Sequence, residues 1–169
     1  DSKSFTPGQV NRAAHFCGGR MQTRMSKLGK SYSISLWFWN GMPIDSRPVL
    51  GWMFGRGQNY SAQATGDALG LNAKGQLIFA NGQETVTGKA NTERWKWHHA
   101  VLVRDQEKVQ VYLDGKLEIS GEANAASSVE TLFLGGRNNK ESSWEGRLDE
   151  AAVFDRALNK KEINALFLP

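Results

Sequence analysis

The sequence predicts an all-β protein built from two stacked antiparallel sheets. Three observations support this fold class: about ten short runs of β-forming residues, turn residues between successive runs, and a single helical pattern at the C-terminal end. Short strands joined by regular tight turns are typical of a β-sandwich. The turn residues are Gly18-Gly19, Asn40-Gly41, Ala73-Lys74-Gly75, Asn81-Gly82, Asp114-Gly115 and Asn138-Asn139.

The predicted strands follow the apolar runs in chain order. They are residues 13–16, 21–23, 31–39, 49–55, 68–71, 77–80, 98–104, 109–113, 116–119, 131–135 and 145–154. The clearest hairpin signal is the alternating run 109–113, which ends at Asp114-Gly115. Glycine accepts the positive φ that a tight hairpin turn requires. The alternation predicts that one face of this hairpin is buried.

A short helix is predicted directly after Asn159. Asn159 is the expected N-cap, and Glu162 occupies the third helical position, which is the arrangement of a capping box. Ile163 and Leu166 give the helix an apolar side. We expect this side to close one end of the sandwich.

Length and composition exclude several classes of protein. The 169 residues suit one domain, 1–169, with a sizeable core. No apolar run is long enough for membrane insertion, and the scattered basic residues behind the net charge of +4 argue against nucleic-acid binding. The single cysteine, Cys17, excludes an internal disulfide. We expect the domain to belong to a larger multidomain protein, with the neighbouring domains as its partners.

Several motifs occur in a fixed order between about residue 15 and residue 167. They are Tyr32-Ser33-Ile34-Ser35-Leu36-Trp37-Phe38, Trp97-His98-His99-Ala100, Tyr112-Leu113-Asp114-Gly115, and the segments 132–137, 145–150, 154–158 and 161–166. In this order they resemble the LamG-like jelly-roll domains of the concanavalin A-like lectin/glucanase superfamily. The resemblance implies a jelly-roll β-sandwich with a short final helix. It also implies structural roles for Trp37 and Trp97.

The carboxylates do not match the pattern of an enzyme in that superfamily. Glycoside hydrolysis generally needs two facing carboxyl groups about 5–10 Å apart, and the glucanase relatives carry Glu-x-Asp-x-x-Glu on one strand. Glu145, Asp149 and Glu150 have a different spacing, and adjacent strand residues point to opposite faces. His98, at a position that relatives share, is interpreted as a packing and hydrogen-bonding residue. We therefore predict no catalytic activity.

The resemblance implies a structural calcium ion at the rim of the sandwich. Asp149 matches one carboxylate ligand of the calcium-binding relatives. Cys17 stands where those relatives often carry a second aspartate, and thiol sulfur is a poor ligand for calcium. Two alternatives stay open: Asp149 accepts backbone hydrogen bonds at a strand end, and Cys17 is a small buried residue.

Aromatic and polar residues in and near loops indicate a glycan-binding surface. The apolar faces of sugar rings stack on Trp and Tyr, and amide and guanidinium groups bond to sugar hydroxyls. The candidate carbohydrate-binding residues are Trp39, Arg56, Tyr60, Trp95, Arg137, Asn138 and Trp144. For Trp39 two interpretations are equally open, an outer surface or a position packed under a loop.

These expectations lead to one principal function. We predict a non-catalytic carbohydrate-binding module of a secreted or cell-surface protein that acts on polysaccharides. The net charge of +4 favours an acidic glycan as the partner. Two alternatives stay open, a protein-interaction or adhesion domain of laminin G type and a passive structural spacer, because a fold alone does not determine function.

Overall fold

A computed structural model describes residues 5–7, 12–25, 28–45, 49–58, 65–124, 131–139 and 141–167. These residues form thirteen strands and one helix. The strands are β1 (Phe5–Pro7), β2 (Arg12–Cys17), β3 (Met21–Arg24), β4 (Tyr32–Asn40), β5 (Gly51–Gly57), β6 (Thr65–Leu71), β7 (Gln76–Asn81), β8 (Glu84–Asn91), β9 (Trp97–Asp105), β10 (Lys108–Leu113), β11 (Lys116–Glu122), β12 (Thr131–Leu134) and β13 (Glu145–Phe154). The helix is α1 (Lys160–Phe167).

The strands form two antiparallel sheets, which confirms the predicted fold class. The seven-stranded sheet has the order β1-β2-β13-β4-β9-β10-β11, and the six-stranded sheet has the order β3-β12-β5-β6-β7-β8. β13 comes late in the chain but lies between β2 and β4. This return of the last strand to the middle of a sheet brings residues that are distant in sequence onto one face.

The main core lies between the two sheets. Along β4 the alternate residues Ile34, Leu36 and Phe38 are buried in one cluster with Phe54 and Leu69 of the six-stranded sheet. Side chains alternate along a strand, so the residues between them lie on the opposite side. The outer face of the seven-stranded sheet therefore carries Ser33, Ser35, Trp37 and Trp39.

The hairpin between β10 and β11 confirms the prediction from Asp114-Gly115. Leu113 pairs with Lys116 across a two-residue turn. Asp114 has φ 49° and Gly115 has φ 75°. Positive φ at both central positions is the geometry of a type I′ turn, whose twist matches that of the flanking strands.

The capping box of α1 is confirmed, but the position of the helix differs from the prediction. Asn159 Oδ1 accepts the backbone N–H of Lys161 at 2.9 Å, and the Glu162 carboxylate accepts the N–H of Asn159 at 2.8 Å. The helix does not close an end of the sandwich. Ile163 packs against Val101 on the outer face of the seven-stranded sheet, where the apolar residues of β9 and β10 need cover.

The sequence patterns did not predict β1 or β8. β8 is the edge strand of the six-stranded sheet, and residues 84–87 are all exposed. A strand without a buried face shows no alternation between apolar and polar residues, so its sequence resembles that of a loop.

Candidate functional site

The outer face of the seven-stranded sheet has two halves. In the half that we call the covered half, α1 buries Val101, Val103 and Tyr112 beneath Ile163. Phe167 of the helix stacks on Trp37 with ring centroids 5.9 Å apart, which marks the border of the covered half. The other half begins at the next outward-facing residue of β4, Trp39.

This second half carries an aromatic–arginine patch, which consists of Trp39, Arg94, Trp95 and Arg147. The rings of Trp39 and Trp95 have centroids 4.8 Å apart and planes tilted by 55°. The guanidinium carbon of Arg147 lies 4.3 Å from the Trp39 ring centroid, and that of Arg94 lies 4.1 Å from the Trp95 centroid. A guanidinium this close to an aromatic face gains cation–π attraction. The four side chains therefore form one continuous series of contacts.

Three separate parts of the chain build the patch. Trp39 on β4 pairs directly with Arg147 on β13. Arg94 and Trp95 lie in the loop between β8 and β9. Asn40, at the end of β4, fixes this loop because its carbonyl oxygen accepts the backbone N–H of Trp95 at 3.0 Å. The loop is thus anchored beside the ring that Trp95 contacts.

The backbone of Trp95 is held in an unusual conformation. Its φ is 64°, in the left-handed region that bulky residues rarely adopt. The side chain is nevertheless 56% exposed, so burial of the ring offsets only part of the cost of this conformation. Strained backbone combined with an exposed aromatic ring is typical of a site that contacts another molecule.

The charged residues around the patch are largely paired. The Arg94 guanidinium forms an ion pair with Asp45, and Lys96 forms an ion pair with Glu93. The hydrogen bond and the charge of Lys96 lower the pKa of the Glu93 carboxyl. These pairs leave little net charge on this side of the patch.

Two of the predicted binding residues belong to the interior. Trp144 is fully buried in the main core, where its ring meets Phe38 edge-on at 6.0 Å, so it cannot stack on a sugar. Arg56 is only 3% exposed, and its guanidinium donates to the carbonyl oxygens of Leu28 and Gly29 at 2.6 and 2.8 Å. Both residues correct the expectation from sequence, because proximity to a polar loop did not make them accessible.

Arg137 and Asn138 lie in the segment that follows β12, and Arg137 packs against the six-stranded sheet. The Arg137 guanidinium stacks over Trp52 at 4.8 Å, and Trp52 belongs to a small apolar cluster outside the main core. Asn138 is buried, so it does not face a ligand. Neither residue joins the patch, which corrects the prediction of a shared site. Tyr60 lies outside the described residues.

A buried serine–histidine pair lies under α1. Ser35 Oγ and His99 Nε2 are 2.8 Å apart, and the ring of Phe167 stacks over His99 with centroids 6.1 Å apart. Burial lowers the pKa of His99 to about 4. Asp114 accepts the backbone N–H of His99 at 2.7 Å and contacts the ring of His98 rather than that of His99. The pair is a packed structural contact on the covered half.

In the part of the chain that the structure describes, the side chains around Asp149 do not form a cluster of metal ligands. Asp149 Oδ1 accepts the backbone N–H of Glu150 at 3.0 Å, as in the structural alternative. Cys17 is exposed rather than buried, with its sulfur 3.5 Å from His15 Nε2. Within the described residues, no three His, Cys, Asp or Glu side chains come together as metal ligands. Calcium requires several oxygen ligands, so with Asp149 as the one matched carboxylate, backbone carbonyl oxygens would have to supply others.

Sequence reasoning missed two residues of the patch, Arg94 and Arg147. Arg94 directly precedes Trp95, and this adjacency was a usable signal. Arg147 meets Trp39 only through the pairing of β13 with β4, which a linear pattern does not reveal.

A family model described as the concanavalin A-like lectin/glucanases superfamily matches residues 18–164. The chain belongs to that superfamily. A search of curated protein sequences finds no match to this chain. The superfamily assignment agrees with the jelly-roll arrangement and with the order of the closing strands.

Solved structures of the same fold include domains of carbohydrate-active proteins. Domain 4 of AbnA, an extracellular GH43 arabinanase from Geobacillus stearothermophilus, was solved with arabinotriose; it is 18% identical, with a TM-score of 0.73, over 98% of this chain and 81% of that one. Trypanosoma rangeli sialidase with the inhibitor DANA is 17% identical, with a TM-score of 0.72, over 95% of this chain but only 28% of the sialidase. A heptameric SAP-like pentraxin from Limulus polyphemus is 15% identical, with a TM-score of 0.64, over 83% of this chain and 70% of that one.

These similarities show a shared fold rather than a shared ligand. The present chain spans little more than a quarter of the sialidase, so it corresponds to a part of that protein. None of the helices that the structure describes is long and apolar enough to cross a membrane.

Proposed function

We propose that this domain is a non-catalytic carbohydrate-binding module that binds glycan at the aromatic–arginine patch. The observation that carries the proposal is the exposed Trp95, which is held at positive φ against Trp39. An indole ring offers the flat apolar surface on which the C–H face of a sugar stacks. The arabinotriose complex of a structural neighbour supports the proposal at the level of the fold.

The ring geometry supports recognition of one sugar ring of a flexible, soluble chain. A sugar between two indoles would need ring centroids about 7–8 Å apart, which is twice the contact distance of roughly 3.5–4.0 Å between carbon atoms. The observed separation of 4.8 Å leaves no such space. The tilt of 55° also prevents the two rings from forming one flat surface. The patch is therefore poorly suited to the surface of a crystalline polysaccharide.

The polar groups around the rings suit neutral hydroxyls. The guanidinium of Arg94 and the carboxylate of Asp45 form a donor–acceptor pair beside Trp95. Sugar hydroxyls donate and accept, so they can bond to both members of such a pair. Because Arg94 and Lys96 are already ion-paired, we expect a neutral glycan to bind more tightly than the acidic glycan favoured by net charge alone.

We infer a non-catalytic role from the carboxylates around the patch. Asp45 is the carboxylate in contact with Arg94, and its charge is used in that ion pair. Glycoside hydrolysis generally requires two facing carboxyl groups in distinct protonation states. We propose that the domain acts outside the cell as an accessory module that keeps a larger protein on its polysaccharide.

Affinity electrophoresis through gels that contain neutral or acidic polysaccharides tests this proposal. We expect retardation by a neutral soluble polymer, and at least about 30-fold weaker binding in Trp95→Ala and Trp39→Ala, since central aromatic residues often contribute about 2 kcal/mol or more. Leu117→Ala is a matched control, because Leu117 is exposed at the far edge of the same sheet. If Trp95→Ala and Trp39→Ala are still retarded as strongly as the wild type, the binding site lies outside the patch. A domain that no polymer retards would be a protein-interaction domain or a spacer.

A further inference from the structure

His98 lies at the base of the loop that carries Trp95. Its ring Nδ1 is 2.8 Å from the carboxylate of Asp114, and its Nε2 lies 3.2 Å from the backbone nitrogen of Glu93. A backbone N–H can only donate, so Nε2 must be the acceptor and must carry no proton. The neutral ring then holds its one proton on Nδ1, where it donates to Asp114. The hydrogen-bond geometry therefore fits the ring form of His98 that carries its proton on Nδ1.

The bond from Glu93 to His98 is one of three described anchors of the loop backbone, and one of the other two joins the N–H of Thr92 to the carbonyl oxygen of Gly75 at 2.8 Å. The third joins the N–H of Trp95 to the carbonyl oxygen of Asn40. Glu93 precedes Trp95 by two residues. Its bond to His98 therefore helps to fix the backbone that leads into Trp95, whose φ is 64°. Protonation of Nε2 would set two N–H groups against each other and remove the Glu93 anchor.

We propose that His98 is a positioning residue of the patch, and that its protonation loosens the loop between β8 and β9 and weakens glycan binding. The inference deepens the proposed function, because it gives the regulation of that same site. With Nε2 unprotonated the Glu93 bond is intact, and a proton on Nε2 removes it.

Charged groups face His98 from two parts of the chain. From the β10–β11 turn, Asp114 favours the charged ring; burial acts to raise the pKa of Asp114, but the hydrogen bonds from His98 and from the His99 backbone outweigh it and lower that pKa. From the β8–β9 loop, the Glu93 carboxylate also favours the charged ring, and Lys96 opposes it. Phe38 on β4 is neutral and lies 5.6 Å from the ring.

The other two histidines of the chain can be separated from this effect. His99, adjacent on β9, has a pKa of about 4 and stays neutral over most of the range between pH 8 and 5. His15 is exposed on β2, beside Cys17, and pairs in register with Arg147 of the patch. His15→Gln therefore shows whether the histidine beside Arg147, rather than His98, carries the pH dependence.

The experiment has one arm without glycan. Two-dimensional NMR of the free wild-type domain between pH 8 and 5.5 should show the Glu93 amide shifting and its hydrogen exchange accelerating as the His98 ring titrates. This arm needs no variant and no ligand. If the chemical shift and the hydrogen exchange rate of the Glu93 amide do not change with the His98 ring signals, the inference is wrong, whether or not a glycan binds.

The second arm measures affinity by calorimetry for the polysaccharide retarded most strongly in the gels. We expect the wild type and His15→Gln to bind about fivefold more weakly at pH 5.5 than at pH 8, which corresponds to the loss of one hydrogen bond. His98→Gln keeps an acceptor without a charge, so its affinity should not depend on pH. His98→Phe has no acceptor, so its affinity should be low at both pH values. If His98→Gln shows the same pH dependence as the wild type, the inference is wrong. A domain that binds no glycan at any pH would instead refute the proposed function, and the NMR result would still stand.

Discussion

The covered half and the aromatic–arginine patch occupy the same face of the same sheet, but the first is buried by the chain itself and the second stays exposed to solvent. On the covered half, Val101 and Val103 are removed from water by Ile163, so the chain itself gains the free energy of burial. On the patch, Trp95 stays 56% exposed next to Arg94. An exposed aromatic surface gains that energy only when another molecule covers it. The comparison separates the part of the face that stabilises the fold from the part that remains available for binding.

The largest expected effect is on the covered half. Ile163→Ala should lower the free energy of unfolding by about 2–5 kcal/mol, because Ile163 is completely buried and the substitution leaves a cavity beneath α1. Urea denaturation measures this change. Glycan affinity of the folded variant should not change, since Ile163 packs against the covered half. A parallel loss of affinity would show that the two halves are coupled.

The next effect is a pH dependence that also belongs to the covered half. The pKa of His99 is about 4 in the folded protein and near 6.5 when unfolded, so the unfolded state binds more protons between these values. Stability should therefore fall as the pH drops from 6.5 to 4, by up to about 3 kcal/mol. His99→Gln should remove this slope in denaturation curves measured at several pH values. An unchanged slope in that variant would assign it to other groups.

A smaller effect should appear at the backbone of Trp95. Trp95→Gly should be more stable than Trp95→Ala by about 1 kcal/mol, because glycine adopts a φ of 64° without steric cost. Both variants remove the ring, so both should lose glycan binding equally. Thermal unfolding of the two variants side by side measures the difference. Equal stabilities would mean that the positive φ carries no strain.

The smallest effect should come from chelation. Asp149 pairs in register with Trp37, at the border between the two halves, and no cluster of three His, Cys, Asp or Glu side chains is found among the described residues. EDTA should therefore leave both the unfolding temperature and the glycan affinity unchanged. A clear fall in the unfolding temperature, reversed by added calcium, would show that a metal ion stabilises this border.

The fold could be predicted from sequence because its signals are local. The positive φ values of Asp114 and Gly115 follow from the residue types in a two-residue turn. The capping interactions of Asn159 and Glu162 follow from their spacing. β8 could not be predicted in the same way, because an exposed edge strand has no apolar face to mark it.

The site could be predicted only in part because accessibility is not local. Trp39 and Trp95 were candidates from sequence, and the structure brings their rings into contact. Trp144 and Arg56 showed the same kind of loop context, yet one packs in the core and the other bonds to buried carbonyl oxygens. Arg147 stacks on Trp39 because β13 pairs with β4. Such a contact depends on strand pairing and cannot be read from neighbouring residues in the sequence.

The central position of β13 has a consequence for how the domain is synthesised. β2 and β4 cannot be bridged until residues 145–154 have left the ribosome, so nearly the whole chain must be made before the seven-stranded sheet can close. Folding dominated by such distant pairings is typically slow. Arg147 reaches Trp39 on this last strand, so the patch is assembled at the end of folding, and a nascent or truncated chain would not present it.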